Sequence, residues 1–147
     1  MMFHVKQVGS LRQPEINDIS HLFDIDLKSF EVPWDIDVWR NVCENTEFNK
    51  LVVGDSPIGF IVWKQTKSTD IWRFAVKPDY RNKGIGTSLL KEVKVFAAKN
   101  NCHKIIIPVL ENLCYTGIGC WLNKRGFKAT GVIKGINEDS FNFELIC

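Results

Sequence analysis

Between Val76 and Thr87 the chain reads Val76-Lys77-Pro78-Asp79-Tyr80-Arg81-Asn82-Lys83-Gly84-Ile85-Gly86-Thr87, with two glycines and three cations where a strand would end and a helix begin. Such a junction can hold an anion. Glycine lets the backbone approach a ligand closely and take positive φ. The first N–H groups of a helix have no partners inside it and lie at the positive end of its dipole, so a phosphate is a natural ligand there. Arg81 and Lys83 add positive charge at the rim, and Thr87 can offer a hydroxyl. Other phosphate loops fit less well. A Gly-x-x-x-x-Gly-Lys-Ser/Thr run is absent, and a dinucleotide fingerprint would need glycine where Leu89 stands.

The elements around this loop follow from periodicity. Residues 3–8 can form a first strand. From Pro14 the apolar positions Ile16, Ile19, Phe23, Leu27 and Phe30 recur at helical spacing, and Asp35 is placed to cap a second helix through Ile36, Trp39 and Cys43. Residues 50–53 and 58–63 flank the turn Gly54-Asp55-Ser56-Pro57 as a hairpin. Ser68-Thr69-Asp70 reads as a turn before a strand over 71–76. The helix after the loop carries Ile85, Leu89, Val93, Phe96 and Ala97 on one face and ends at Asn100-Asn101. An apolar strand over 103–109 is interrupted by Pro108, a helix covers about 116–124 despite Gly117 and Gly119, and strands over 127–133 and 140–146 close the chain as a hairpin. Strands and helices in this order predict a mixed central sheet with helices on both faces.

Composition narrows the function classes. The 147 residues suit one domain spanning 1–147, with 45% hydrophobic and 24% charged residues, an ordinary globular balance. A net charge of +2 with scattered basic residues argues against nucleic acid as a partner. No apolar run reaches membrane-spanning length, and the N-terminus lacks the signature of a signal peptide. Five cysteines without CxxC spacing fit reduced thiols in a cytoplasmic protein. His4, His21 and His103 are isolated, so no metal site is expected.

The run Val76-x-Pro78-x-Tyr80-Arg81-x-x-Gly84-Ile85-Gly86-x-x-Leu89-Leu90 resembles motif A of the GCN5-related N-acetyltransferase (GNAT) superfamily. Ser29-Phe30 and Pro33-Trp34 are similar to the segment between the first two helices of the RimI-like ribosomal-protein alanine acetyltransferases. Asn112, Gly126-Phe127 and the closing hairpin also fall where that superfamily has similar features. The resemblance implies a mostly antiparallel mixed sheet whose fourth and fifth strands splay apart. It implies acetyl-CoA as acyl donor, bound together with an amine that attacks the thioester directly. Backbone at Phe74, Ala75 and Val76 would then hold the pantetheine arm and polarise the carbonyl. Backbone of Arg81, Asn82, Lys83, Gly84, Ile85, Gly86 and Thr87 would hold the pyrophosphate, with Asn112 as a further donor contact. Holding both reactants in register supplies several kcal/mol of the barrier, and aimed N–H donors roughly 3 more. A Pro108 beside splayed strands would also cost less than in a fully paired sheet.

The chain departs from the group at two positions. Many RimI-like enzymes carry a glutamate base where Pro108 aligns, and a tyrosine acid four residues before the Gly-Phe pair, where this chain has Leu122. An ammonium cannot attack, so a base or water relay is needed. Glu111 is the candidate base and Tyr115 the candidate acid; Asp26 and Glu31 could line the acceptor mouth. An α-amine of pKa about 8 needs less help than a lysine of about 10.4, which favours a protein N-terminus or small amine as acceptor. The five tryptophans read mainly as core, Trp34 excepted, and Arg73 as a surface ion pair or a contact for an acidic acceptor. Two alternatives stand beside the transferase, whether monomer or homodimer: a non-catalytic acyl-CoA-binding module, motivated by the missing Glu and Tyr, and a toxin-like acetyltransferase of aminoacyl-tRNA.

Overall fold

Seven strands form one sheet in the order β1-β2-β3-β4-β5-β7-β6, in a computed structural model that describes residues 10–110, 117–134 and 140–147. The strands are β1 (Leu11–Arg12), β2 (Asn49–Val53), β3 (Gly59–Gln65), β4 (Thr69–Val76), β5 (Lys104–Leu110), β6 (Lys128–Ile133) and β7 (Ser140–Ile146). The helices are α1 (Ile19–Ser29), α2 (Ile36–Glu44), α3 (Ile85–Lys99) and α4 (Gly117–Lys124), with short 3-10 turns at Ile16–Asp18 and Pro78–Tyr80. Pairing is antiparallel between β1 and β2, β2 and β3, β5 and β7, and β6 and β7. It is parallel between β4 and β5, at Thr69↔Ile105 and Asp70↔Ile106. The mixed, mostly antiparallel sheet expected from the sequence is therefore present. The strand expected over residues 3–8 lies outside the described residues. The chain divides into two compact units, 1–64 with 73–94, and 65–72 with 95–147.

In the first unit, Ile19, Leu22, Ile25, Trp39, Val42, Val52, Phe60, Val62 and Ala75 make a buried cluster. The stripe of α1 that faces it differs from the predicted one. It runs through Ile19, Leu22, Ile25 and Asp26, while Ile16 is 72% and Leu27 52% exposed. The reason is Asp26, which takes a core-facing position because its carboxylate accepts hydrogen bonds from Trp34, Trp39 and Arg73. Helix α2 begins as predicted, with the Asp35 side chain accepting from the Val38 N–H at 2.9 Å. Arg12 ties β1 to the 3-10 turn and to the loop after β2. It donates to both oxygens of Asp18 at 2.7 and 2.9 Å and to the carbonyls of Gly54 and Asp55. This hydrogen-bonded pairing with Arg12 outweighs burial and holds the Asp18 carboxyl below its ordinary pKa.

In the second unit, β4 begins two residues earlier than the sequence suggested. Thr69 can enter the sheet because its buried hydroxyl donates to Gln65 Oε1 at 2.7 Å. Strand β5 runs through Pro108 rather than breaking there. The Cys147 N–H donates to the His103 carbonyl at 2.8 Å, which makes that opposed pair a hydrogen-bonded one. Hydrogen-bonded and non-bonded pairs alternate along an antiparallel ladder, so the pair Pro108↔Asn142 in the same register is non-bonded. The missing N–H of Pro108 thus points away from β7 and leaves that ladder whole.

The helices α3 and α4 close in the same way. At Gly126, with φ 92°, the Phe127 N–H reaches the Leu122 carbonyl (3.1 Å) and the Gly126 N–H the Asn123 carbonyl (3.1 Å). At Asn101, with φ 53°, the Cys102 N–H reaches Ala97 (2.9 Å) and the Asn101 N–H reaches Ala98 (3.1 Å). These are Schellman caps, each joined by apolar burial of the last-turn residue and the residue after the cap. Leu122, Phe127, Ala97 and Cys102 are all buried.

Candidate functional site

The glycine loop has the geometry an anion cradle needs. After β4 the chain makes the 3-10 turn Pro78–Tyr80, extends at Arg81, and then takes positive φ at Asn82 (62°) and Gly84 (86°) before α3 starts. Positive φ suits glycine, and asparagine tolerates it better than most residues. The backbone turn at Ser88, whose N–H and hydroxyl both donate to the Gly84 carbonyl at 3.0 Å, begins the helical ladder. Ahead of it, the N–H groups of Ile85 and Gly86 have no carbonyl four residues back inside the helix. A Cβ at Gly84 would meet nothing within 4 Å, so the space beside this glycine is open. No acidic residue lies in the first turn of α3. The dipole and the exposed Lys83 therefore give the loop a positive field.

Arg81 acts differently from the expectation of a phosphate rim. Its Nε donates to the Val76 carbonyl at 2.8 Å and its Nη2 to the Ser29 hydroxyl at 3.2 Å. The guanidinium thus braces the loop against the end of β4 and the end of α1. Gly59 sits beneath: a Cβ there would come within 3.3 Å of both the Ala75 carbonyl and Ile85 Cγ2. The missing side chain lets β3 lie close under β4 and the first residue of α3. By sequence Gly59 reads as an ordinary strand residue. A glycine inside a strand is the signal that marks such an approach.

The second arrangement of the first unit has no counterpart among the sequence expectations. Asp26 is fully buried. Its Oδ2 accepts from the Trp34 N–H (3.0 Å) and Trp39 Nε1 (2.9 Å), and its Oδ1 from Arg73 Nε (3.1 Å) and Nη2 (2.9 Å). Arg73 Nη2 also donates to the Val32 carbonyl at 2.8 Å. The guanidinium lies 4.0 Å from the Phe30 ring centroid and 4.9 Å from that of Trp34, within cation–π range. Arg73 is thus neither a surface ion pair nor free to face an acidic acceptor, and Asp26 does not line a mouth. Glu31 is exposed. Trp39 and Trp63 are core, Trp34 and Trp121 half-buried, and Trp72, expected in the core, is 50% exposed.

The candidate base Glu111, the candidate acid Tyr115 and the candidate donor contact Asn112 lie outside the described residues. Leu122, where the group's tyrosine aligns, is fully buried and belongs to the Schellman contact. Pro108 is exposed. Among the described residues no group of three metal-ligating side chains occurs, and no helix is long and apolar enough to cross a membrane.

A mixed sheet with a glycine-containing loop between a strand and a long amphipathic helix defines an α/β protein whose loop suits a phosphorylated ligand. The sequence pattern of the Acetyltransferase (GNAT) family matches residues 19–127, and the chain belongs to that family, as an enzyme of the N-acetyltransferase class. A candidate ribosomal protein bS18-alanine N-acetyltransferase of Bacillus subtilis (strain 168) is 24% identical over 147 residues, 97% of this chain and 95% of that one. The fold is similar to the crystal structure of the ribosomal-protein-S18-alanine N-acetyltransferase from Escherichia coli, with TM-score 0.78, 16% identity, and 93% and 92% of the two chains covered. It is similar also to Arabidopsis thaliana NAA60 in complex with acetyl-CoA, with TM-score 0.77, 18% identity, and 92% and 97% covered.

Proposed function

We propose that the protein transfers an acetyl group from acetyl-CoA to a primary amine, a protein N-terminal α-amine or a small amine, by direct attack within a ternary complex. The observation that carries this reading is the loop at Asn82 and Gly84. Its positive φ values turn the chain into the start of α3, where the N–H groups of Ile85 and Gly86 have no carbonyl four residues back in the helix and a Cβ at Gly84 would stand in open space. Diphosphate oxygens accept such bonds, and the pantetheine arm would then run along the backbone of Phe74, Ala75 and Val76. The relatives support the choice of donor and acceptor, because one is solved with acetyl-CoA and two carry names of alanine N-acetyltransferases. By likeness to the Bacillus subtilis relative, the reading places the enzyme in the cytoplasm, with residues 1–147 as one catalytic domain.

In this reading the amine loses its proton to Glu111 or to a water it holds, attacks the thioester carbon, and forms a tetrahedral oxyanion. The C–S bond then breaks, the nitrogen gives up its second proton to water, and the CoA thiolate takes a proton from Tyr115, which solvent reprotonates, or from water. The buried Leu122 and the exposed Pro108 carry no ionisable group. That observation favours a second reading, a non-catalytic acyl-CoA-binding module. Thiol release from acetyl-CoA, measured with a panel of peptide α-amines and small amines, separates the two. Amine-dependent release supports the transferase. CoA binding with no release for any amine favours the module, and absence of CoA binding sinks both.

A further inference from the structure

Resting on the transferase reading, we infer that Arg73 and Asp26 are positioning residues for the amine acceptor, fixing the turn over residues 30–34 beside the strand segment that takes the donor. The turn is gripped at two backbone points: its Val32 carbonyl by Arg73 Nη2 (2.8 Å) and its Trp34 N–H by Asp26 Oδ2 (3.0 Å). Its two aromatic side chains, Phe30 and Trp34, stack on the same guanidinium. Trp34 also meets Trp39 edge-on at 5.1 Å, and Trp39 donates to the same carboxylate. One buried carboxylate therefore sets the backbone and both rings of the turn. The turn in exchange holds the Val32 side chain 81% exposed, an apolar group that the fold itself leaves unused.

The same end of α1 is tied to the donor segment twice. Arg73 immediately precedes Phe74 and reaches Asp26; Arg81 lies beyond the segment and reaches Ser29 while holding the Val76 carbonyl. Asp26 and Ser29 are three residues apart, neighbours on one face of α1. Residues 74–80 are thus braced at both ends on the last turn of α1, and the turn over residues 30–34 continues from it. One strand residue, about 3.3 Å, separates Arg73 from Phe74. The turn is thus held beside the segment proposed to take the thioester, through the bond from Arg73 to the Val32 carbonyl. A buried ion pair is often no more stabilising than apolar residues of the same volume. What it adds here is direction, because both charged groups are committed to bonds that point at the turn.

The test compares wild type with Arg73→Met, which keeps bulk but loses every polar bond, and with Arg73→Lys, which keeps charge but loses the forked geometry. Amide hydrogen exchange should accelerate at least about tenfold over residues 30–34 in Arg73→Met and stay unchanged over α3. The Kd for CoA should remain within about twofold. The acceptor KM should rise about tenfold with kcat little changed, and Arg73→Lys should recover part of the loss. If Arg73→Met does not fold, Arg73→Lys carries the same readouts. Unchanged exchange over residues 30–34 overturns the inference. So does an acceptor KM that stays put while wild type is active, or one that moves only in step with the Kd for CoA. A wild type inactive with every amine overturns the transferase reading itself, and the acceptor role with it.

Discussion

The loop at Gly84 allows a prediction in which stability and donor binding separate. Gly84 has φ 86°, and a Cβ there would meet nothing within 4 Å. Gly84→Ala therefore creates no clash inside the protein. Its cost is backbone strain of about 1–2 kcal/mol for an L-residue in the left-handed region. Lowered unfolded-chain entropy offsets about 0.4–1 kcal/mol of that. The net loss is about 1 kcal/mol, a fall in Tm of roughly 2–4 °C for a chain of this size. The empty space around that Cβ is where the diphosphate is proposed to sit, so the methyl group enters the ligand's volume. A hydrogen bond to a charged group is worth about 1.5–3 kcal/mol, and losing or lengthening one weakens CoA binding roughly 10- to 100-fold. Titration calorimetry with CoA, run beside thermal melts, reads both quantities. Gly126→Ala is the control: it puts an L-residue at a comparable φ of 92° outside the loop, and should lower Tm while leaving CoA binding unchanged. A Gly84→Ala protein that melts as expected yet binds CoA within about twofold of wild type would refute the placement of the diphosphate.

Two further outcomes rest on the packing around Asp18 and Leu122. The Asp18 carboxyl sits below its ordinary pKa through its bond to Arg12, so the folded state binds that proton less readily than the unfolded chain. Its stabilisation is whole above the unfolded value of about 3.9 and is lost as pH falls through the lower folded one. The urea midpoints of wild type and Asp18→Asn should differ by a constant amount above about pH 5.5 and converge below about pH 4; a gap that persists into strong acid contradicts the pairing. Leu122→Tyr, which restores the side chain the RimI-like group carries, should cost about 1–3 kcal/mol by overpacking a filled site and leave kcat for thiol release no higher. A gain in kcat would mean that this position faces the reaction after all.

The parts of the fold legible in the sequence are those whose physics is local. Asp35 caps α2 because a carboxylate three residues before an N–H is enough to do so. The Gly54 turn and the amphipathic face of α3 likewise depend on residues a few positions apart. The features that escape the sequence depend on distant partners. In the sequence Asp26 is a candidate for the acceptor mouth, with the apolar stripe passing around it through Leu27. Its burial requires Arg73, 47 residues away, and no periodicity encodes that distance. Trp72 and Arg73 differ from expectation for the same reason. The ladder through Pro108 is intelligible only once the bond between Cys147 and His103 fixes which pairs are bonded.

The two halves of the reaction differ in the same way. An anion is held by backbone N–H groups, and these need only glycine or asparagine at particular φ, so the donor side is written in a continuous run from Tyr80 to Thr87. An amine is selected by side chains brought together from separate elements, which we propose are here α1, the turn after it and β4. A motif of consecutive residues can therefore point to the donor, while the acceptor side depends on contacts such as those that hold residues 30–34. Arg81 joins the two. By sequence it belongs to the phosphate loop, yet its guanidinium bonds to Val76 and Ser29. Its guanidinium is held in place as a brace, which leaves the helix start and Lys83 as the groups proposed to meet an anion. Charge at a motif position marks neither role by itself; the partners of the side chain decide.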